Sequence, residues 1–209
     1  MSSLEDAAPA GDVALPGDSS LTMSFSELVF SDVAALRPGT RGSWLGVMMR
    51  LPFVPGVMAS LILRAQQCLH RTGGRVQRLL ARLLQPIGNW VVGADFGPGM
   101  VIGPGLRLVH PVGVVMGFGA RVGDNVTFAS GVTLAARYYD DNHSGEQAFP
   151  VIEDGVAVGA HAVLVGGVRV GRNAMVGANS VVLSDVPENS VVFGVPAKRV
   201  GTREATDPK

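Results

Sequence analysis

Four histidines are the side chains of this 209-residue chain best placed to move a proton near neutral pH, and two of them stand out. His110 lies in the stretch HPVGVV, and His143 lies in AARYYDDNHSGEQAFPV, residues 135–151. Beside His143 stand Asp140 and Asp141, near enough in sequence to orient an imidazole. Either histidine could act as a general base. His70, in a polar helical stretch, and His161, in a regular turn, read as structural. Cys68 is the single cysteine, which excludes an intrachain disulfide and a cysteine-based zinc cluster. No His/Asp/Glu spacing suggests a catalytic metal, so none is expected.

The elements that must position these groups announce themselves by period. From Met116 every sixth residue is apolar: Met116, Val122, Phe128, Leu134, then, after an interruption, Ile152, Val158, Leu164, Val170, Val176 and Val182. Four places after each lead the residue is again small or aliphatic, as at Ala120, Val126, Val156 and Ala174. A six-residue period marks a β-solenoid, in which each hexad is one short strand plus a turn. Glycines that follow the leads, such as Gly117 and Gly177, are expected to supply turn conformations closed to other residues. By this phase His110, one period before Met116, points inward. The interruption at 135–151 is polar, and such excursions from a regular scaffold often carry function.

Residues 21–90 read as an α-helical N-terminal region, with Val57, Leu61, Ala65 and Leu69 on one face. A second stripe, Val76, Leu79, Leu80, Leu83 and Leu84, lies opposite Arg75, Arg78 and Arg82 and is expected to pack within the chain, with membrane-surface binding through the arginines as the alternative. Pro86 and Gly88 should end the helices. The organisation expected is thus a disordered segment 1–20, helices over 21–90, a β-helix over 91–200 with its loop at 135–151, and a tail 201–209. Lys plus Arg and Asp plus Glu each number 17, so nothing advertises a nucleic-acid partner. The first twenty residues lack a secretory signal pattern, and the apolar run Val54–Leu63 is too short to cross a bilayer. A cytoplasmic location is expected.

The motifs DFGPGMVIGPGLRLVHPVGVV, MGFGARVGDNVTFASGVTL, VIEDGVAVGAHAVLVGGVRVGRNAMVGANSVVLSDVP and the closing GVPAKRV resemble those of hexapeptide-repeat acyltransferases, and most closely the serine O-acetyltransferase branch. The resemblance implies a mainly β fold, a left-handed parallel β-helix, with acetyl-CoA as co-substrate in grooves between the subunits of a homotrimer. Either a trimer or a dimer of trimers fits, and the short helical region favours the trimer. It also implies His110 as general base toward a hydroxyl. Gly159, Ala160, Gly177 and Ala178 fall on the positions that line the pantetheine groove. Lys198 falls near the nucleotide phosphates, and Ala135 follows the VTL motif where the family carries glycine. The loop NHSGEQAFP resembles the xenobiotic and sugar acetyltransferase branches, in which the loop histidine, here His143, is the base.

Three positions depart from the serine-specific pattern. Val109 stands where the family has the Asp that orients its histidine, Phe118 replaces the Glu of IGET, and Phe149 replaces the His of RHP. An apolar wall there would leave serine's ammonium and carboxylate unpaired, at a cost of several kcal/mol. The expectation is therefore an acetyl-CoA-dependent O-acetyltransferase whose small-molecule acceptor is not serine but a sugar or secondary metabolite. Serine O-acetyltransferase and a non-catalytic trimeric scaffold stand as alternatives. The closing DPK differs from the terminal Ile with which the family docks cysteine synthase, so no stable complex with it is expected.

Overall fold

The computed structural model describes residues 15–37, 43–137 and 148–203. From Asp95 the chain winds into a three-sided parallel β-helix. One side stacks β1 (Asp95–Phe96), β4 (Val115–Met116), β7 (Thr133–Ala135), β10 (Val163–Val165) and β13 (Val181–Val182). The second stacks β2 (Val101–Ile102), β5 (Arg121–Val122), β8 (Val151–Ile152) and β11 (Arg169–Val170). The third stacks β3 (Arg107–Leu108), β6 (Thr127–Phe128), β9 (Ala157–Val158), β12 (Met175–Val176) and β14 (Ser190–Phe193). At the end of this third side β15 (Lys198–Thr202) pairs antiparallel with β14, so residues 201 and 202, assigned to a tail, belong to a strand.

In each two-residue strand the second residue faces inward. Phe96, Met116, Leu134, Leu164 and Val182 therefore stack in register along the first side, all 1% exposed or less. Burying each such side chain contributes roughly 1.5–3 kcal/mol relative to leaving it in water. Ala120, Val126, Val156 and Ala174 fill the corners between sides and are equally buried.

The glycines after the leads serve a purpose other than the one expected. Gly159 is not among the residues with positive φ; a Cβ on it would lie 2.6 Å from the backbone nitrogen of Ala178 in the next coil. The corners simply have no room. Left-handed turn positions are taken by other residues, including Asn125, His161, Asn173, Asn179 and Asn189. Asparagine tolerates this region better than other non-glycine residues.

Four helices precede the coils: α1 (Phe25–Leu36), α2 (Trp44–Arg50), α3 (Pro55–Arg71) and α4 (Arg75–Val92). Ser24 and Glu27 form a capping box that starts α1. Pro86 does not stop α4, which runs on to Val92 and ends at Gly93 in the left-handed conformation, its N–H donating to the Asn89 carbonyl at 3.2 Å. Residues 15–20, expected to be disordered, instead dock on the coils. Ser20 is buried, Ser19 donates to Asp124 at 2.6 Å, and Asp18 pairs with Arg121. Residues 1–14 lie outside the described part of the chain.

The face that α3 buries is not the apolar one read from sequence. Leu61, Ala65 and Leu69 are half-buried, whereas Ser60, Arg64, Gln66 and Gln67 are buried along with Val57 and Leu63. Arg64 Nε and Nη2 donate to the two oxygens of buried Asp32 at 2.9 and 2.8 Å. The same guanidinium donates to the carbonyls of Ile102 and Gly103 at 2.7 Å each, and Asp32 accepts the Leu106 N–H at 2.9 Å. Burial pushes the Asp32 carboxyl upward, while Arg64 and the Leu106 amide pull it back. On α4 the packed positions are Ala81, Gly88 and Val92. The stripe expected to pack within the chain is exposed instead, with Val76, Leu79, Leu83, Ile87 and Trp90 facing outward. Apolar faces of this extent usually meet another molecule.

Candidate active site

Two of the interruptions in the hexad rhythm carry residues singled out by chemistry. The inward residue of β3 is Leu108, eight positions before Met116 rather than six. The two extra residues shift the phase, so His110 is exposed at the corner instead of pointing inward. That corner, where the third side turns into the first, is fixed by backbone bonds. Gly113 N–H donates to the Gly93 carbonyl at 2.7 Å, and Val114 N–H to the Pro111 carbonyl at 3.0 Å. Val109, 42% exposed beside the histidine, donates its own N–H to Phe128 O at 3.2 Å and offers the imidazole no polar group.

The same corner recurs in each coil, and its backbone forms a ladder along one edge. Gly131 N–H donates to Val112 O at 3.0 Å, His161 N–H to Ser130 O at 2.8 Å, and Asn179 N–H to Ala160 O at 2.8 Å. His110, Gly159–Ala160 and Gly177–Ala178 therefore lie in successive order on a single edge. Gly177 leaves space that the Phe193 ring occupies, since a Cβ would meet that ring at 1.9 Å. Lys198 lies just beyond, exposed, opposite Phe193 in the β14–β15 pair.

The second interruption lies on a different edge, where the first side turns into the second. Ala135 ends β7 there, pairing with Val165. His143 falls outside the described residues. Phe149 is buried and meets Phe118 edge-to-face at 4.8 Å, closing over Gly117. One chain thus separates the residues read as a single site into two groups. His110, Val109 and the glycine–alanine pairs share one edge, while Ala135, Phe118 and Phe149 share the next.

Above the second edge, between the coils and helices α3 and α4, opens a cleft of about 590 Å³. Its walls include His70, Arg82, Gln85, Asp95 and Phe118, with Val115 and Met116 beneath. Gln85 Nε2 donates to Asp95 Oδ1 at 2.7 Å. These polar groups were not identified from sequence, because Arg82 reads as the solvated face of an amphipathic helix and Asp95 as a strand residue. Among the described residues no cluster of His, Cys, Asp and Glu could hold a metal ion. Among them, too, no helix is long and apolar enough to cross a membrane.

Residues 149–184 match the family model for the bacterial transferase hexapeptide (six repeats). Serine acetyltransferase of Helicobacter pylori is 34% identical over 165 residues, covering 78% of this chain and 89% of that protein. The chain belongs to the serine acetyltransferase family. Serine acetyltransferase 4 of Arabidopsis thaliana is 39% identical over 150 residues, which is 71% of this chain but 41% of the plant protein. Among solved structures, serine acetyltransferase of Neisseria gonorrhoeae superposes with a TM-score of 0.73 at 35% identity, covering 87% of this chain and 67% of that one. The Brucella abortus enzyme in complex with coenzyme A gives a TM-score of 0.75 at 32% identity, covering 87% and 70%.

This family member is an acetyl-CoA-dependent O-acetyltransferase on a left-handed parallel β-helix of the trimeric hexapeptide type. The relatives also correct one expectation. Val109, Phe118 and Phe149 argued for an acceptor other than serine, yet the proteins that match, at 34–39% identity across most of the chain, are serine acetyltransferases. Three side-chain replacements weigh less than that shared framework, because polar partners for an acceptor can come from elsewhere in the fold.

Proposed function

We propose that this protein transfers the acetyl group of acetyl-CoA to the hydroxyl of serine, with His110 as general base. The observation that supports this most directly is the edge on which exposed His110 heads the ladder through Ala160 and Ala178. A pantetheine arm lying along that edge brings its thioester toward the imidazole. His110 takes the proton of the serine hydroxyl as its oxygen attacks the thioester carbonyl carbon. The tetrahedral intermediate then collapses, the C–S bond breaks, and the imidazolium returns the proton to the leaving thiolate. Free CoA and O-acetylserine result. With Val109 in place of a carboxylate, a backbone carbonyl or a residue of a neighbouring subunit fixes the tautomer.

In this reading the backbone at Gly159–Ala160 and Gly177–Ala178 lines the pantetheine groove, Lys198 faces the nucleotide phosphates, and Ala135 belongs to the neighbouring subunit's contribution across the groove. A homotrimer in the cytoplasm is part of the same proposal. His143 is the rival base. Thiol release from acetyl-CoA with serine, measured for wild type, His110→Ala and His143→Ala, tests both. Loss of a positioned base lowers turnover by about 10²–10⁴-fold. His110→Ala should show that loss and His143→Ala should not. Full turnover in His110→Ala, or no thiol release with serine in the wild type, overturns the reading.

A further inference from the structure

Serine reaches an active site as a zwitterion, and Phe118 and Phe149 offer neither of its charges a partner. The cleft that Phe118 borders offers one of each. Arg82 projects into it from α4 and makes no hydrogen bond or ion pair among the described residues. Asp95, at the start of β1, is half-buried and accepts from Gln85 through Oδ1. Its second oxygen has no hydrogen-bond partner among the described residues. Gln85 follows Arg82 by three residues, so both lie on one face of α4 and reach the same cleft. Beneath them exposed Val115 forms an apolar floor on β4, the strand that runs from the His110 corner to the Phe118 edge.

We propose that this cleft anchors the acceptor: Arg82 pairs with the α-carboxylate of serine and Asp95 with its α-ammonium, replacing the polar groups absent at Phe118 and Phe149. Gln85 is then a positioning residue that holds the Asp95 carboxylate toward the cleft. An Arg–carboxylate pair is directional and can be bidentate, which suits selection of a free amino acid over an ester or amide. A sugar hydroxyl, carrying no charge, would use neither group. The inference rests on the serine reading above but concerns different residues, on α4 and β1 beside the Phe118 edge, the edge that the homotrimer of that reading turns toward a neighbouring subunit's His110.

Steady-state kinetics on the full chain test it, with serine and serinamide as paired acceptors. Serinamide keeps the ammonium and the hydroxyl but lacks the carboxylate. The wild type should prefer serine, and Arg82→Ala should raise KM for serine at least tenfold while leaving KM for acetyl-CoA within twofold. The same variant should lose the preference for serine over serinamide, and Arg82→Lys should recover part of it. Asp95→Asn should raise KM for both acceptors alike. Arg82 is exposed, so its replacement leaves the fold intact, and a merely structural role would not move the serine-to-serinamide ratio. An unchanged ratio in Arg82→Ala, with serine still turned over, overturns the anchor and leaves the serine reading standing. Absence of serine turnover in the wild type overturns both.

Discussion

Inside the coils the inward positions from Phe96 to Val192 are almost all apolar, whereas the face that α3 turns inward carries Ser60, Arg64, Gln66 and Gln67. The difference follows from where each region's backbone finds partners. Within the solenoid one coil's N–H groups meet the carbonyls of the next, as Gly103 does with Val122 at 2.8 Å, so the side chains are free to be hydrocarbon. The first coil has no coil before it. Its outward carbonyls at Phe96, Ile102 and Gly103 are met by Gln66, Gln67 and Arg64 instead. The helical cap is thus a polar plug shaped to an open backbone edge, and the buried charge it carries is balanced by Asp32.

Breaking the plug should cost more than breaking any single rung. Arg64→Ala leaves Asp32 buried without its partner and strips donors from two carbonyls, so it should destabilise by about 3–5 kcal/mol. Denaturant unfolding followed by far-UV and near-UV signals checks this; a loss below about 1 kcal/mol would mean the cap is only loosely coupled to the coils. Leu164→Ala removes a fully buried rung between coils and should cost about 3 kcal/mol, within the usual range for such truncations. At the corner, Asn179 sits at φ 56°, and Asn179→Val should cost about 1–2 kcal/mol through backbone strain while Asn179→Gly is nearly neutral. Thermal melts of the pair separate conformational strain from lost contacts.

The smallest effect lies farthest from the coils. Ser24→Ala should weaken α1 by about 1 kcal/mol. Glu27 is held below its ordinary 4.5 by the Ser24 N–H first and the Ser24 hydroxyl second. A depressed carboxylate contributes its stability above the unfolded value and loses it as pH falls through the folded one. An acid titration should therefore show the advantage of wild type over Glu27→Gln at neutral pH vanishing well below pH 4.5. An advantage that persisted in acid would place the cap's strength in the serine alone.

The solenoid was legible because a period of six survives in a single sequence, and the inward columns are those the hexads imply. The phase at His110 was not legible. Two extra residues between Leu108 and Met116 leave no mark in composition, and only strand pairing reveals that the corner bulges outward. The burial of Arg64 was equally hidden, because an arginine among apolar residues reads as a solvated face until its partners Asp32, Ile102 and Gly103 are known. The division of the candidate residues between two edges also needed coordinates, since His110 and Phe118 are only eight residues apart in sequence yet occupy different corners. The Arg82–Asp95 cleft joins a helix to the first strand, a proximity no hexad pattern encodes.

The antiparallel β15 has a consequence of its own. A stack of coils is a filament in miniature, and each bare terminal coil is a template onto which another chain could add. β15 turns back against β14 with a bulge between Val191 and Val192, and presents Lys198 and Arg199 to solvent on the strand that would otherwise be copied. The helical plug closes the opposite end. A fold whose repeat could extend without limit is thereby kept to a fixed length, and its open seams run along its sides rather than across its ends.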